Sequence, residues 1–179
     1  MYWIDKADTS KYKEIGYDQN NAMSVVVDGK GVYWTVHDSQ DPSYSFVRRY
    51  DKGSGDMPVV DTLGSSVGHV AEWLTQDAQD LFWTTRDGHI FKVRKDAPAD
   101  TAGTEIAIDF DDLSAIVADE SHIYVADSGT GRIVRMNKDG SEQIAVAEGQ
   151  GYPYRMAIDD IAVYWTNQTT GQVMVLRKD

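Results

Sequence analysis

One short word, written four times, constrains this chain more than anything else in it. Val32-Tyr-Trp-Thr35, Leu81-Phe-Trp-Thr84, Ile123-Tyr-Val-Ala126 and Val163-Tyr-Trp-Thr166 share an apolar and aromatic core, and their third positions step by 49, 42 and 40 residues. An aspartate stands six residues before each third position, at Asp28, Asp77, Asp119 and Asp159. Self-similarity at a period near forty residues marks a repeat architecture, in which each unit buries its apolar face against the next.

Within each copy, runs of five to seven residues rich in Val, Ile, Tyr and Trp alternate polar with apolar and end at Gly, Asp, Ser or Lys. That is the pattern of strands joined by hairpin turns, and no segment of ten or more residues follows the helical period. The third full copy predicts strands over 114–119, 123–127, 132–137 and 142–147, separated by turns at 119–122, 128–131 and 138–140. Lettered A to D, such strands fill three copies, 22–65, 69–110 and 113–149. The stretch 153–179 supplies A, B and C of a further copy, and 1–20 supplies C and D of another.

The expected fold is therefore all-β: a single β-propeller domain, or an arc of one, with about four four-stranded antiparallel blades, starting and ending mid-blade. Two closures remain open, an arc and a steep four-bladed ring, and the arc is favoured because a ring of six blades needs about 250 residues. An arc exposes strand edges and apolar faces that invite self-association.

Val32-Tyr-Trp-Thr35, Val163-Tyr-Trp-Thr-Asn167 and the Lys138-Asp-Gly140 turn resemble the YWTD repeats of low-density-lipoprotein-receptor-type propellers. Ile123-Tyr-Val-Ala-Asp-Ser-Gly-Thr-Gly-Arg-Ile133 is closer to the sister NHL repeat. The resemblance covers nearly the whole chain and implies a propeller; its motif residues are structural. Alternation sends Tyr33 and Thr35 to one face of a sheet and Trp34 to the other, so Trp34, Trp83 and Trp165 are expected to wedge between blades. The aspartates at 28, 77, 119 and 159 are expected to cap the A-to-B turns. The pattern breaks at Val125, which stands in place of Trp, and at Val36, Thr85 and Asn167, which stand where the motif carries Asp. Asp127 alone keeps that carboxylate, so polar contacts between blades should be irregular.

Charge narrows the partners. The chain holds 17 Lys and Arg against 29 Asp and Glu, a net −12, which opposes phosphate backbones and anionic bilayers, so neither nucleic acid nor membrane is expected. There is no cysteine, so the redox compartment is left open. The start, Met1-Tyr-Trp-Ile-Asp-Lys6, lacks the pattern of a signal peptide, and no run approaches the ~20 apolar residues of a helical span. The expectation is a soluble chain whose localisation, including that of any exported parent, is undecided.

Candidates for chemistry are few. His37, His69, His89 and His122 share no repeat position and no pair has metal-ligand spacing, so all four read as surface or turn residues. Gly129-Thr-Gly131 reads as a hairpin turn, since Val134 stands where a phosphate cradle has its third glycine. Asp109, Asp111 and Asp112 could gather oxygen ligands for calcium, against a reading as a solvated acidic loop. Tyr44, Tyr50, Tyr152 and Tyr154 lie in or beside connections, where tyrosine supplies rigid binding surface or packs blades together. Asn167-Gln-Thr169 matches a glycosylation sequon.

The reading these residues support is a non-catalytic scaffold that binds a protein or small ligand through inter-strand loops, with no cofactor and no catalytic residue assigned. Two alternatives stand beside it: a metal-dependent propeller enzyme of lactonase or lyase type, and a truncated repeat segment without activity of its own.

Overall fold

The computed structural model describes residues 2–5, 8–16, 21–38, 41, 45–54 and 60–178, with 2–5 and 8–13 described as backbone. Among these residues there is no helix. β1 (Tyr2–Asp5) and β2 (Asp8–Glu14) form a hairpin. A first four-stranded sheet follows, of β3 (Val25–Val27), β4 (Gly31–His37), β5 (Ser45–Asp51) and β6 (Val60–Ser65). The second sheet holds β7 (Ala71–Gln76), β8 (Asp80–Thr85), β9 (Ile90–Arg94) and β10 (Thr104–Ala107). The third holds β11 (Leu113–Ala118), β12 (His122–Asp127), β13 (Arg132–Asn137) and β14 (Ile144–Ala147). A three-stranded sheet of β15 (Pro153–Ile158), β16 (Ala162–Asn167) and β17 (Gln172–Arg177) completes the series. Each is an antiparallel meander in chain order, and each first strand packs beside the next sheet's first strand, β3 to β7 to β11 to β15. This is the arrangement of propeller blades about an axis, and the sheets do not close into a ring.

The repeated word explains why the sheets stack. Along the second strand, the residue in second position faces the following sheet at Tyr33, Phe82 and Tyr124, and the residue in third position faces the preceding one at Trp83, Val125 and Trp165. Tyr33, Val47 and Leu63 of the first sheet meet Leu74, Leu81, Trp83, Phe91 and Val93 of the second. Phe82 and Ile90 of the second meet Leu113, Ile123, Val125 and Met136 of the third. Ala115, Ala126 and Ile133 of the third meet Trp165 of the last, while Tyr124 meets Val163. Trp34, Trp83 and Trp165 are all buried, with Trp83 at 0% exposure. Burying about 200 Å² of indole contributes up to about 5 kcal/mol on an area scale. The close approach is tight at Gly64, where a Cβ would lie 3.0 Å from the Trp83 ring.

The sheet edges are tied by a second, polar ladder that uses the four repeated aspartates. One carboxylate oxygen of Asp77 accepts the N–H groups of Gln79 and Asp80, each at 2.7 Å. Asp28, Asp119 and Asp159 hold their own turns in the same way, at 2.8–2.9 Å. The other oxygen reaches across to a lysine that follows the third strand of the next sheet. Asp28 meets Lys95 at 2.8 Å, Asp77 meets Lys138, and Asp119 meets Lys178 at 3.3 Å. Lys95 and Lys138 also donate to backbone carbonyls of their own sheets, at Asp77 and Glu120. The last aspartate of the series, Asp159, accepts the Tyr164 hydroxyl at 3.1 Å instead.

Polar contacts at the motif's fifth position are irregular. Asp127 is buried and takes the Asp111 N–H at 3.2 Å and the Arg132 guanidinium at 2.9 Å. Asn167 and the Trp165 indole both donate to Gln150, each at 3.0 Å, whereas the buried indole N–H of Trp83 has no hydrogen-bond partner among the described residues. The final sheet leaves Val173 and Val175 of β17 exposed, at 79% and 59%, on the face that in earlier sheets is covered by a successor.

Two outcomes follow from this packing. Trp83→Ala should lower stability by about 3–5 kcal/mol in urea titration, while Val173→Ser stays within about 0.5 kcal/mol. Burial pushes the Asp77 carboxyl up, but Lys138 and the N–H groups of Asp80 and Gln79 outweigh burial and hold it below its ordinary value of 3.8. Asp28 and Asp119 are lowered in the same manner. A carboxyl depressed in the folded state stabilises above its unfolded pKa, and that contribution is lost as pH falls through the folded value. The urea midpoint should therefore fall as pH drops below about 4, and less steeply in Asp77→Asn.

Candidate binding face

Two kinds of connection emerge at the same edge of every sheet: the loop that joins one sheet to the next, and the hairpin between second and third strands. Backbone hydrogen bonds weld them together. The loop after the second sheet bonds backward through Phe110 N–H to Gly88 at 3.3 Å, and its Asp111 and Asp112 carbonyls accept Gly129 and Ser128 of the next hairpin at 2.9 and 3.1 Å. The loop after the third sheet repeats this, with Gln150 donating to Gly131 at 2.9 Å while Tyr152 and Gly151 accept from Gln168 and Thr169 at 3.0 Å. Contact is so close at Gly129 that a Cβ there would sit 2.4 Å from Asp111 Cγ. Gly129-Thr-Gly131 is thus a hairpin turn docked on its neighbour.

The residues singled out in the sequence distribute unevenly over this face. Tyr44 lies outside the described residues, as does most of the Asp38–Tyr44 connection. Tyr50 sits within β5, paired with Val32 and Val60, and is half-buried at the far end of its sheet. Tyr154 belongs to β15, where it and Trp73 enclose the Arg155 guanidinium at 4.0 and 3.8 Å, while Arg155 donates to the Ser114 carbonyl at 3.0 Å. Tyr152 stacks beside Tyr154, with centroids 6.3 Å apart, and its hydroxyl donates to Asp112. That bond is the leading cause of a Tyr152 hydroxyl raised above 10.0.

Asp109 and Asp112, in the loop between the second and third sheets, both adopt positive φ, at 69° and 57°. Asp109, Asp111 and Asp112 form no group of three converging ligands. Among the described residues one such group exists elsewhere: His69, Asp87 and His89 each offer a ligand atom, all within 4.8 Å of one another.

This grouping differs from the expectation that the histidines are separate turn residues. His69 ends the loop between first and second sheets, and His89 ends the hairpin between β8 and β9, so the shared edge of the second sheet brings them together. Their ring centroids lie 4.2 Å apart. His69 Nδ1 is 2.7 Å from Asp87 Oδ2, and His89 Nε2 is 3.7 Å from the same oxygen. Behind them, Glu105 on β10 lies 2.9 Å from His89 Nδ1, and the buried Thr85 hydroxyl donates to Asp87 Oδ1 at 2.7 Å. Burial pushes the Asp87 carboxyl up, but the bonds from Thr85 and His69 outweigh it and hold the group below 3.8. The signal in the sequence was the word Gly-His, written as Gly68-His69 and Gly88-His89, each ending a turn through a glycine at positive φ, 89° and 84°.

A cleft of about 720 Å³ opens on the opposite edge between the first two full sheets and includes Tyr33, Arg49 and Lys95. Two of its cations are engaged within the fold: Arg49 pairs with Asp61 at 2.9 Å and donates to the Lys95 and Ala97 carbonyls, and Lys95 pairs with Asp28. It reads as a seam between sheets.

The chain matches no family model and no curated protein. Solved structures do match. A chain from the crystal structure of a nidogen/laminin complex superposes with TM-score 0.72 at 17% identity, over 98% of this chain and 69% of that one. BamB from Moraxella catarrhalis superposes with TM-score 0.65 at 16% identity, over 96% and 49%. A puromycin-hydrolysing peptidase of Mycobacterium tuberculosis does so with TM-score 0.67 at 13% identity, over 96% and 31%. Similarity at this level is one of fold, and a fold shared with a peptidase does not by itself separate binding from catalysis. The chain has the β-propeller fold.

Proposed function

We infer that the chain is a non-catalytic propeller scaffold that binds a protein partner through the edge where loops and hairpins are welded together. The observation that carries this reading is the combination of rigidity and charge at that edge. Its connections are fixed by backbone hydrogen bonds, so little conformational entropy remains to be lost on binding. Its exposed side chains include Glu105, Asp109, Asp111, Asp112 and Glu148. A preformed acidic surface favours a partner that presents Lys and Arg, and speeds their encounter. The nidogen/laminin match shows the same fold within a protein complex, which supports the reading by analogy.

The test uses a partner captured from cells that make the protein and then purified. Asp109→Asn/Asp111→Asn/Glu148→Gln should weaken its binding about tenfold at physiological salt, mainly through a slower on-rate, while Glu120→Gln on the opposite edge leaves it unchanged. Equal affinity in both variants, or equal loss in both, overturns the assignment of the face.

A second reading rests on the last sheet. Its exposed Val173 and Val175, with Asp159 paired to no lysine among the described residues whereas Asp28, Asp77 and Asp119 are, form half of the junction seen between earlier sheets. The complementary half needs a lysine behind a third strand, and the sequence writes one at Lys6, after β1. A second copy, docked head to tail, supplies it. Light scattering should then give a mass that rises with concentration and is lowered by Val173→Asp/Val175→Asp; a monomer at every concentration overturns this reading.

A further inference from the structure

We propose that His69, Asp87 and His89 bind a divalent transition-metal ion of the zinc class, through His69 Nδ1, Asp87 Oδ2 and His89 Nε2. In a tetrahedral zinc site with bonds of about 2.0–2.2 Å, neighbouring ligand atoms stand about 3.3 Å apart. The two contacts to Asp87 Oδ2, 2.7 and 3.7 Å, bracket that spacing, so an ion enters with small side-chain adjustments. Two imidazoles and one carboxylate suit zinc and its transition-metal neighbours; calcium and magnesium prefer oxygen throughout.

Each ligand is already aimed by a second group. Glu105 accepts the Nδ1 proton of His89, which leaves the lone pair on Nε2, the atom turned to Asp87. Thr85 occupies Asp87 Oδ1, so the ion takes Oδ2, where it displaces the hydrogen bond from His69 Nδ1. His69 is held from its backbone: it donates its N–H to the Ser66 carbonyl at 2.9 Å, and its own carbonyl accepts the Ser66 hydroxyl at 3.0 Å. The hairpin carrying Asp87 and His89 is closed by Thr85 N–H to the His89 carbonyl at 2.9 Å, and His89 N–H returns to the Thr85 hydroxyl at 3.1 Å. Gly88 within it leaves no room for a side chain, since a Cβ would lie 2.0 Å from the Phe110 carbonyl oxygen. On binding, the ion replaces the proton shared between His69 Nδ1 and Asp87, and that proton moves to His69 Nε2. The ring nitrogens and carboxylate together give three protein ligands, and the fourth position opens to solvent beside the exposed Asp87. Such an ion clips the loop between sheets to the hairpin of the second sheet.

The experiment is calorimetric titration of the full chain with Zn²⁺ at pH 7.5, with Co²⁺ absorption as a second readout. One ion per chain is expected, with visible Co²⁺ bands of nitrogen ligation. His69→Gln, Asp87→Asn and His89→Gln should each weaken binding at least tenfold, Glu105→Gln about tenfold, and His122→Gln not at all. Circular dichroism identifies any variant that fails to fold, and Glu105→Gln, which removes no ligand, keeps the test decisive in that event. Lack of saturable binding to the wild-type chain, or binding retained in full by both His89→Gln and Glu105→Gln, overturns the proposal.

Discussion

A β-sheet in this chain has two apolar faces, and nothing smaller than another sheet can cover either of them. The whole structure depends on how that demand is met at one position, the second strand of each repeat, where consecutive residues point to opposite sides. Phe82 leans on the sheet after it and Trp83 on the sheet before it, so a two-residue word ties three sheets together. Periodicity in the sequence is therefore periodicity of contact. It also explains why Val125 is tolerated where the other copies carry Trp: Met136, Leu113 and Ile116 fill the space beside it, and the interface remains closed without an indole.

The polar ladder does a different job from the apolar one. Backbone N–H groups at a sharp turn need an acceptor, and each repeated aspartate gives them one oxygen while lending the other to a lysine of the neighbouring sheet. Packing alone would let two sheets slide; an ion pair fixed at one edge, with apolar side chains fixed in the middle, sets their register. The ladder occupies one edge of the sheets and leaves the opposite edge to the connections that vary. That division of labour lets the loops change without loosening the frame.

Most of the fold was legible because it is written locally. The strand at 132–137 falls where alternation and turn residues place it, and those expected at 114–119, 123–127 and 142–147 shift by one or two residues at their ends. The capping role of Asp77 follows from its place before a turn. Its lysine partner does not, because Lys138 lies sixty-one residues on and is reached through sheet stacking. The same holds for His69 and His89. Spacing along the chain says nothing of metal ligation when one residue sits in a loop between sheets and the other in a hairpin; only the meeting of those two connections at one edge joins them. Tyr154 shows the converse: its place near a connection is equally consistent with ligand contact and with packing, and only the fold shows its ring against Arg155.

The position of the histidine pair also accounts for its confinement to a single sheet. In the third sheet the motif's fifth residue is Asp127, whose buried carboxylate is consumed by the Asp111 N–H and by Arg132. In the second sheet that position is Thr85, a neutral hydroxyl that cannot neutralise a cation but can steer a carboxylate two residues further on. Asp87 then projects from the hairpin tip rather than into the seam, and it meets a histidine delivered by the preceding loop. In the last sheet, Asn167 turns its amide to Gln150, and the tip beyond it carries Thr169 and Thr170. A departure from the repeat at one residue thus changes what the hairpin tip presents, and among the described residues the second sheet gathers a histidine–carboxylate cluster that the third and last sheets lack.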